Sequence, residues 1–298
     1  MMRNVDLVVF GGVGIDTIVR VPSLPLAMAD SIHVGPVRDF VAHTGNGVAL
    51  GSHALGRATT LVDFIGRDPQ AELIHARYRE RGLSFNYITH PSGTRRSVNL
   101  VDPSGRRLSL YDGRHPDELR MERAYYRPFL QRAAHAHFSI VPWAADLYDD
   151  AQELGVMVST DLHDWDGTKP YYHPFAYRSD IVFMSTAALG GRHEEVMRDV
   201  FAQGRAQVVV AMAGATGSYF MTQGEQVSRH VRVAGIGRPI VDSNGAGDAF
   251  AAAFLAGYAE QRPLIECMQM GAIAGEYACS MEGTAEGFLT REELHRLM

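Results

Sequence analysis

The run Asp242-Ser243-Asn244-Gly245-Ala246-Gly247-Asp248-Ala249-Phe250 constrains this chain more than any other stretch. It follows two extended pieces, Val231-Arg232-Val233 and Pro239-Ile240-Val241, and leads straight into a small, apolar helical run from Ala249 to Tyr258. Two glycines bracket one alanine at the junction. Without side chains, those positions let the backbone turn sharply and leave free amides at a helix start. Free amides and the positive end of the helix dipole attract phosphate. Asp248 falls in the first helical turn, where its carboxylate can take a proton from a hydroxyl beside that phosphate. An anion cradle with a base next to it is what phosphoryl transfer to an alcohol requires. Each feature alone has an ordinary explanation, since acidic residues complement helix dipoles and glycines serve turns. The order of the whole run is what makes it specific.

Composition narrows the classes. A length of 298 residues allows one large α/β domain or two smaller ones, with a sizeable core. A hydrophobic share of 46% and a charged share of 21% are ordinary for a globular protein. The net charge of −6 and the lack of any basic run argue against a nucleic-acid partner. Cys267 and Cys279 are too few for a disulfide framework or a cysteine-based zinc site. No apolar stretch approaches the roughly 20 residues needed to cross a bilayer, so no membrane partner is expected. Met1 to Asp6 enters a strand without a signal-peptide layout, which points to a cytoplasmic protein. Lys169 is the sole lysine, so lysine-based P-loop or Schiff-base chemistry is excluded elsewhere.

Along the chain, Leu7-Val8-Val9-Phe10 reads as a buried first strand ending at Gly11-Gly12-Val13-Gly14-Ile15-Asp16. A dinucleotide fingerprint would need glycine at 17 and a helix to follow. Thr17 and the β-branched alternation Thr17–Val21 exclude it. Ile32–Val34 and Val37–Val41 read as further strands, as does Ala58–Ile65. A helix through Glu72–Tyr78 ends at Gly82, and Ser97–Val101 with Arg107–Tyr111 forms a hairpin. From His137 strands and helices alternate, which implies a parallel sheet with right-handed crossovers. Ligands of such sheets collect at the carboxyl ends of strands, where Asp161 stands. His163 and Asp164 lack a third spaced partner for a metal site. Val208–Met212 and Tyr219–Thr222 flank a glycine turn.

The signature at 242–250 resembles that of the PfkB (ribokinase-like) family of carbohydrate and nucleoside kinases, usually Asp-Thr-Thr-Gly-Ala-Gly-Asp-Ala-Phe. The resemblance covers nearly the whole chain. It implies a ribokinase-like α/β fold over 1–298, a mainly parallel sheet flanked by helices, with small β-lid segments near 16–41 and 95–112. It implies ATP-dependent phosphorylation of a small sugar or sugar-like alcohol, with Mg2+ on the phosphates. Asp248 is then the base, and the amides of Gly245, Ala246 and Gly247 are the anion hole. Gly11 and Asp16 fit the family's Gly-x-x-x-x-Asp pattern, whose aspartate binds substrate hydroxyls.

The family's Gly-Gly-x-Gly-x-Asn-x-Ala segment aligns on Gly45 and Ala49. Its first glycines become Ala42 and His43, its asparagine becomes Gly47, and Asn46 lies one place early. Gly45 and Asn46 are therefore substrate-side candidates. For His43, a substrate contact and a hydrogen-bonded structural role both stand open. Asp161 matches an aspartate that the family often carries. Gly214, Gly217 and Ser218 resemble the nucleotide loop. Asp242 and Ser243 lie where the family neighbours a monovalent cation, K+. The family's Asn-x-x-Glu pair is here Ser185 and Ala188, which leaves magnesium held mainly by nucleotide phosphates. Arg95, Arg107 and Tyr111 are able to face substrate, although solvated surface arginines are the more ordinary reading of the first two. A homodimer through the lid is a further implication. The competing readings are a nucleoside kinase, with Trp143, Phe138 and Trp165 as aromatic candidates, and a non-catalytic ligand-binding relative.

Overall fold

Two sheets of very different burial organise the chain. The computed structural model describes residues 3–298, with strands and helices numbered along the chain. In the larger sheet β1 (Val5–Phe10), β4 (Thr59–Ile65), β5 (Ser84–Thr89), β8 (Ala133–Phe138), β9 (Met157–Asp161), β10 (Ile181–Ser185) and β11 (Val208–Met212) run parallel. An antiparallel edge, β12 (Ser218–Thr222) and β13 (Arg229–Val231), completes nine strands in the order β13-β12-β11-β10-β9-β8-β1-β4-β5. Central strands of this kind are buried on both faces, and every residue of β4 is buried.

Side-chain alternation along β1 feeds two separate cores. Leu7 and Val9 pack with α1 (Thr44–Ala54), α2 (Pro69–Arg81), α7 (Ala246–Ala259) and α8 (Leu264–Cys279). Val8 and Phe10 pack on the other face with α3 (Arg123–Arg132), α4 (Tyr148–Glu153), α5 (His173–Arg178) and α6 (His193–Gln203). This is the three-layer arrangement that the strand–helix alternation implies. A last helix, α9 (Arg291–Leu297), starts with a capping box formed by Thr290 and Glu293. No described helix is long and apolar enough to cross a membrane.

The small sheet holds β2 (Gly14–Arg20), β3 (Arg38–Ala42), β6 (Arg96–Val101) and β7 (Arg107–Asp112), ordered β3-β2-β6-β7. Its register puts Asp16, Phe40, Ser97 and Tyr111 on one face and Thr17, Val98 and Leu110 on the other. The first face meets the large domain. On it Arg20 of β2 approaches Asp242 and Arg107 of β7 hydrogen-bonds Asn244, so the lid touches the signature directly.

Several sequence expectations change here. Ile32–Val34 is not a strand; residues 21–37 carry no regular structure, and only β3 forms beyond them. The signature does not follow a strand either, because the chain is irregular from 232 to the start of α7. Arg95 is no surface arginine. It is 3% exposed and forms a two-pronged ion pair with fully buried Asp63, at 2.8 and 3.0 Å. Asp63 also accepts from the Val13 amide at 2.9 Å, so one buried carboxylate ties the entry to β2 and the entry to β6 onto β4. A pair so buried holds only when both partners are present.

Candidate active site

The carboxyl ends of β1, β8, β9, β10 and β11 open onto one edge of the sheet, and α7 begins there. Gly245 caps it with φ 76°, and a Cβ at that position would stand 1.8 Å from the Thr284 carbonyl oxygen. Only glycine can make this turn. The first-turn amides that follow have no partner within the helix, as at any helix start. Asp248 lies in this turn. Its carboxylate rests against Gly47 of α1, where an added Cβ would meet Asp248 Oδ2 at 2.2 Å. Burial, then the charges of Asp161 and Asp16, push the Asp248 carboxyl well above the usual carboxylate range. A carboxylate beside the first-turn amides of a helix is a group able to accept a proton from a hydroxyl held next to them.

Asp161 ends β9 and is 3% exposed. Its Oδ1 accepts from the His163 amide at 2.8 Å, and its Oδ2 faces Gly247, 3.9 Å from where a Cβ would be. Asp16 of β2 is 6% exposed, with Oδ1 3.3 Å from His43 Nε2. That contact lacks hydrogen-bond geometry, so Asp16 Oδ1 is buried without a donor. Asp16, Asp161, Asp248 and His43 are thus brought together from four separate chain segments.

Two candidates face elsewhere. The Asn46 amide is fully buried, donating to the Val41 carbonyl at 3.1 Å and accepting from Tyr78 Oη at 2.9 Å. Both of its ends are occupied by protein. Gly45 packs on the Gly11 carbonyl, which a Cβ would meet at 1.9 Å. The residue in this segment that touches Asp248 is Gly47, noticed in the sequence only as the place of a missing asparagine.

On the other side of α7, Met212 at the end of β11 lies against Gly247, its Cε 3.4 Å from where a Cβ would be. The turn beyond holds Gly214, with open space above its α-carbon, and Gly217 at φ 103° against the Val231 carbonyl. Ser218 opens β12 at 2% exposure, and its hydroxyl has no hydrogen-bond partner. Ser185 Oγ accepts from the Ala187 amide and Ala188 is exposed. Trp143, Phe138 and Trp165 are at most 1% exposed, inside the core, and do not line the cleft.

Residues 5–291 match the family described as pfkB family carbohydrate kinase. The chain belongs to that family. An acarbose 7(IV)-phosphotransferase from Actinoplanes sp. is 42% identical over 297 residues, spanning 99% of both chains. A solved microbiome-derived acarbose kinase is 48% identical with a TM-score of 0.92, over 98% of both chains. An Arabidopsis thaliana ribokinase, solved with ribose and ATP, shares the ribokinase-like fold at 20% identity, with a TM-score of 0.83 over 100% of this chain and 99% of that one. This carbohydrate kinase is a phosphotransferase with a hydroxyl acceptor, and its family membership implies ATP as co-substrate.

The donor set of this kinase fits Mg2+ carried in on nucleotide phosphates. Among the described residues no three His, Cys, Asp or Glu side chains form a metal cage, but Asp161 presents Oδ2 beside Gly247 and Asp248 presents Oδ2 beside Gly47. The set at Asp242 and Ser243 does not fit a monovalent cation. Asp242 Oδ1 accepts from the Asn244 amide at 3.0 Å and side chain at 2.8 Å. Its Oδ2 meets the Gly283 amide at 3.4 Å and the Arg20 guanidinium at 3.5 Å, and Ser243 is exposed. A guanidinium supplied by the lid stands where a counter-ion would be needed.

Proposed function

We propose that this kinase transfers the γ-phosphate of ATP to a hydroxyl of a sugar-like acceptor of the acarbose class, working in the cytoplasm where ATP is supplied. The observation that carries the chemistry is Asp248 at the α7 start, its pKa raised by burial, Asp161 and Asp16. The acceptor oxygen attacks the γ-phosphorus as the bond to the ADP oxygen breaks, and its proton passes to an Asp248 carboxylate oxygen. The Gly245, Ala246 and Gly247 amides meet the charge that develops on the phosphoryl oxygens. Mg2+, when bound with the nucleotide, neutralises phosphate charge. Asp16 orients an acceptor hydroxyl, and ATP lies on the side of Gly214, Gly217 and Ser218.

The two relatives with acarbose in their names support the acceptor class. A cleft that gathers Asp16, Asp161 and Asp248 also suits a polyhydroxylated acceptor, whose hydroxyls donate to carboxylate oxygens. The test is ADP release with Mg2+ and ATP over acarbose, simple sugars, ribose and adenosine. Acarbose is expected to give the highest kcat/KM. A preference for adenosine would move the reading to a nucleoside kinase, and acceptor binding with no ADP from any compound would make this a non-catalytic relative.

The outer face of the lid supports a homodimer. Val19, Val98, Leu100, Leu108 and Leu110 share it, and Leu108 and Leu110 are 49% and 54% exposed. A second copy of the same apolar face is the occupant we propose. Light scattering of the purified chain is expected to read twice 32.7 kDa, and a monomer mass at micromolar concentration would remove the dimer.

A further inference from the structure

We infer that His43 is a specificity-determining residue, which together with Asp16 reads one hydroxyl of the acceptor; the inference rests on the kinase reading above. His43 has φ 73° and ψ 159°, backbone territory that is essentially reserved for glycine. A histidine there is strained, and nothing local repays the strain. The residue precedes α1 as its N-cap, yet its side chain makes no capping hydrogen bond. Serine, threonine, aspartate or asparagine would serve a cap better, and glycine would relieve the backbone.

The fold instead makes room for the ring. Gly14 of β2 lies beneath it, and a Cβ at Gly14 would stand 2.3 Å from His43 Cε1 and 2.6 Å from Nδ1. Nε2 reaches to 3.3 Å from Asp16 Oδ1 and 3.4 Å from Ser97 Oγ. The ring also packs on Tyr111 of the lid, with centroids 5.7 Å apart. Meanwhile Asp16 Oδ1 is buried with no donor, a costly condition that a ligand can relieve. A substrate hydroxyl supplies what is missing, donating to Asp16 Oδ1 while accepting from the imidazole N–H. The reacting centre is close, because the His43 carbonyl accepts from the Gly47 amide at 3.1 Å and Gly47 rests against Asp248. A glycine at 43 would leave Asp16 alone to bind the hydroxyl and would widen the pocket on the lid side.

The experiment compares His43→Gly and His43→Ala with the wild-type chain, using acarbose as acceptor. Both variants are expected to raise KM for acarbose about tenfold or more, while KM for ATP stays within about twofold. His43→Gly, freed of strain, is expected to melt no lower than His43→Ala, which keeps the unfavourable backbone. An unchanged acarbose KM in both variants overturns the inference. So does a parallel rise in both KM values with a lower melting temperature, the mark of a structural residue. Failure of the kinase reading is distinct, since it appears in the wild-type chain alone as no ADP release. In that case the rise in melting temperature on adding acarbose, compared between wild type and His43→Gly without ATP, decides the role of His43: equal rises overturn it, and a smaller rise in the variant upholds it.

Discussion

Asp248→Asn is expected to lower kcat by about a thousandfold while leaving ATP affinity within about threefold of the wild type. The amide fills the same space against Gly47 but cannot accept the hydroxyl proton. Measured by single-turnover ADP formation and by nucleotide titration, near-normal turnover in this variant would end the general-base mechanism. The same residue sets a pH dependence. Burial and two neighbouring carboxylates raise its pKa, so protonation disables the base at a higher pH than an ordinary aspartate would. Turnover is therefore lost as pH falls through that raised value and retained above it. Asp161→Asn removes one of the two charges, which lowers the Asp248 pKa and shifts the acid limb of kcat/KM to lower pH. A limb that stays in place would mean that another group titrates.

Gly47→Ala should be folded and nearly dead. Gly47 lies in the interior of α1, where alanine favours the helix by roughly 0.5–1 kcal/mol over glycine. Nothing in the backbone resists the change. The new methyl, however, would stand 2.2 Å from Asp248 Oδ2 and 2.5 Å from its Cβ, so the whole carboxylate must move. A displacement of that order at a base costs about a hundredfold in rate. Circular dichroism is expected to match the wild type and melting to fall, because Asp248 Cβ moves only with α7, while kcat falls at temperatures where the variant is fully folded. A variant that keeps its activity would show that Asp248 works from another rotamer.

The parts of the fold written in short-range patterns were legible from the residues. The apolar run at 7–10, the Gly82 helix stop, the hairpin across 97–111 and the small-residue helix after Asp248 all stand as elements of the structure. Asp248 and Asp161 could be named from a helix start and a strand end, and Asp16 from the resemblance at Gly11–Asp16. What could not be read were contacts made across long stretches of chain. Arg95 looks like any surface arginine until Asp63 of a distant strand is seen beside it. Asn46 looks like a substrate ligand until Tyr78 and Val41 are found at its two ends. Gly47 matters only through a residue about two hundred positions later, and no local periodicity reports such a meeting. Ile32–Val34 failed for the opposite reason. Its β-branched ends favour a strand, but the segment joins no ladder with any described strand.

The pairing of β1 has a consequence for how this protein is made. One neighbour of that strand is β4 and the other is β8, so Val9 aligns with Leu61 on one side and His137 on the other. On a ribosome adding about 5–20 residues per second, the first strand spends several seconds or more with one edge unpaired. The helix start that carries Asp248 arrives later still, because α7 follows α1 by about two hundred residues yet packs on it. A nascent or truncated chain that stops before 245 therefore has every strand of both sheets but lacks the helix start at which Asp248 stands. The contact between α1 and α7 joins parts of the chain that lie this far apart, and the cleft edge is complete only after both have been made.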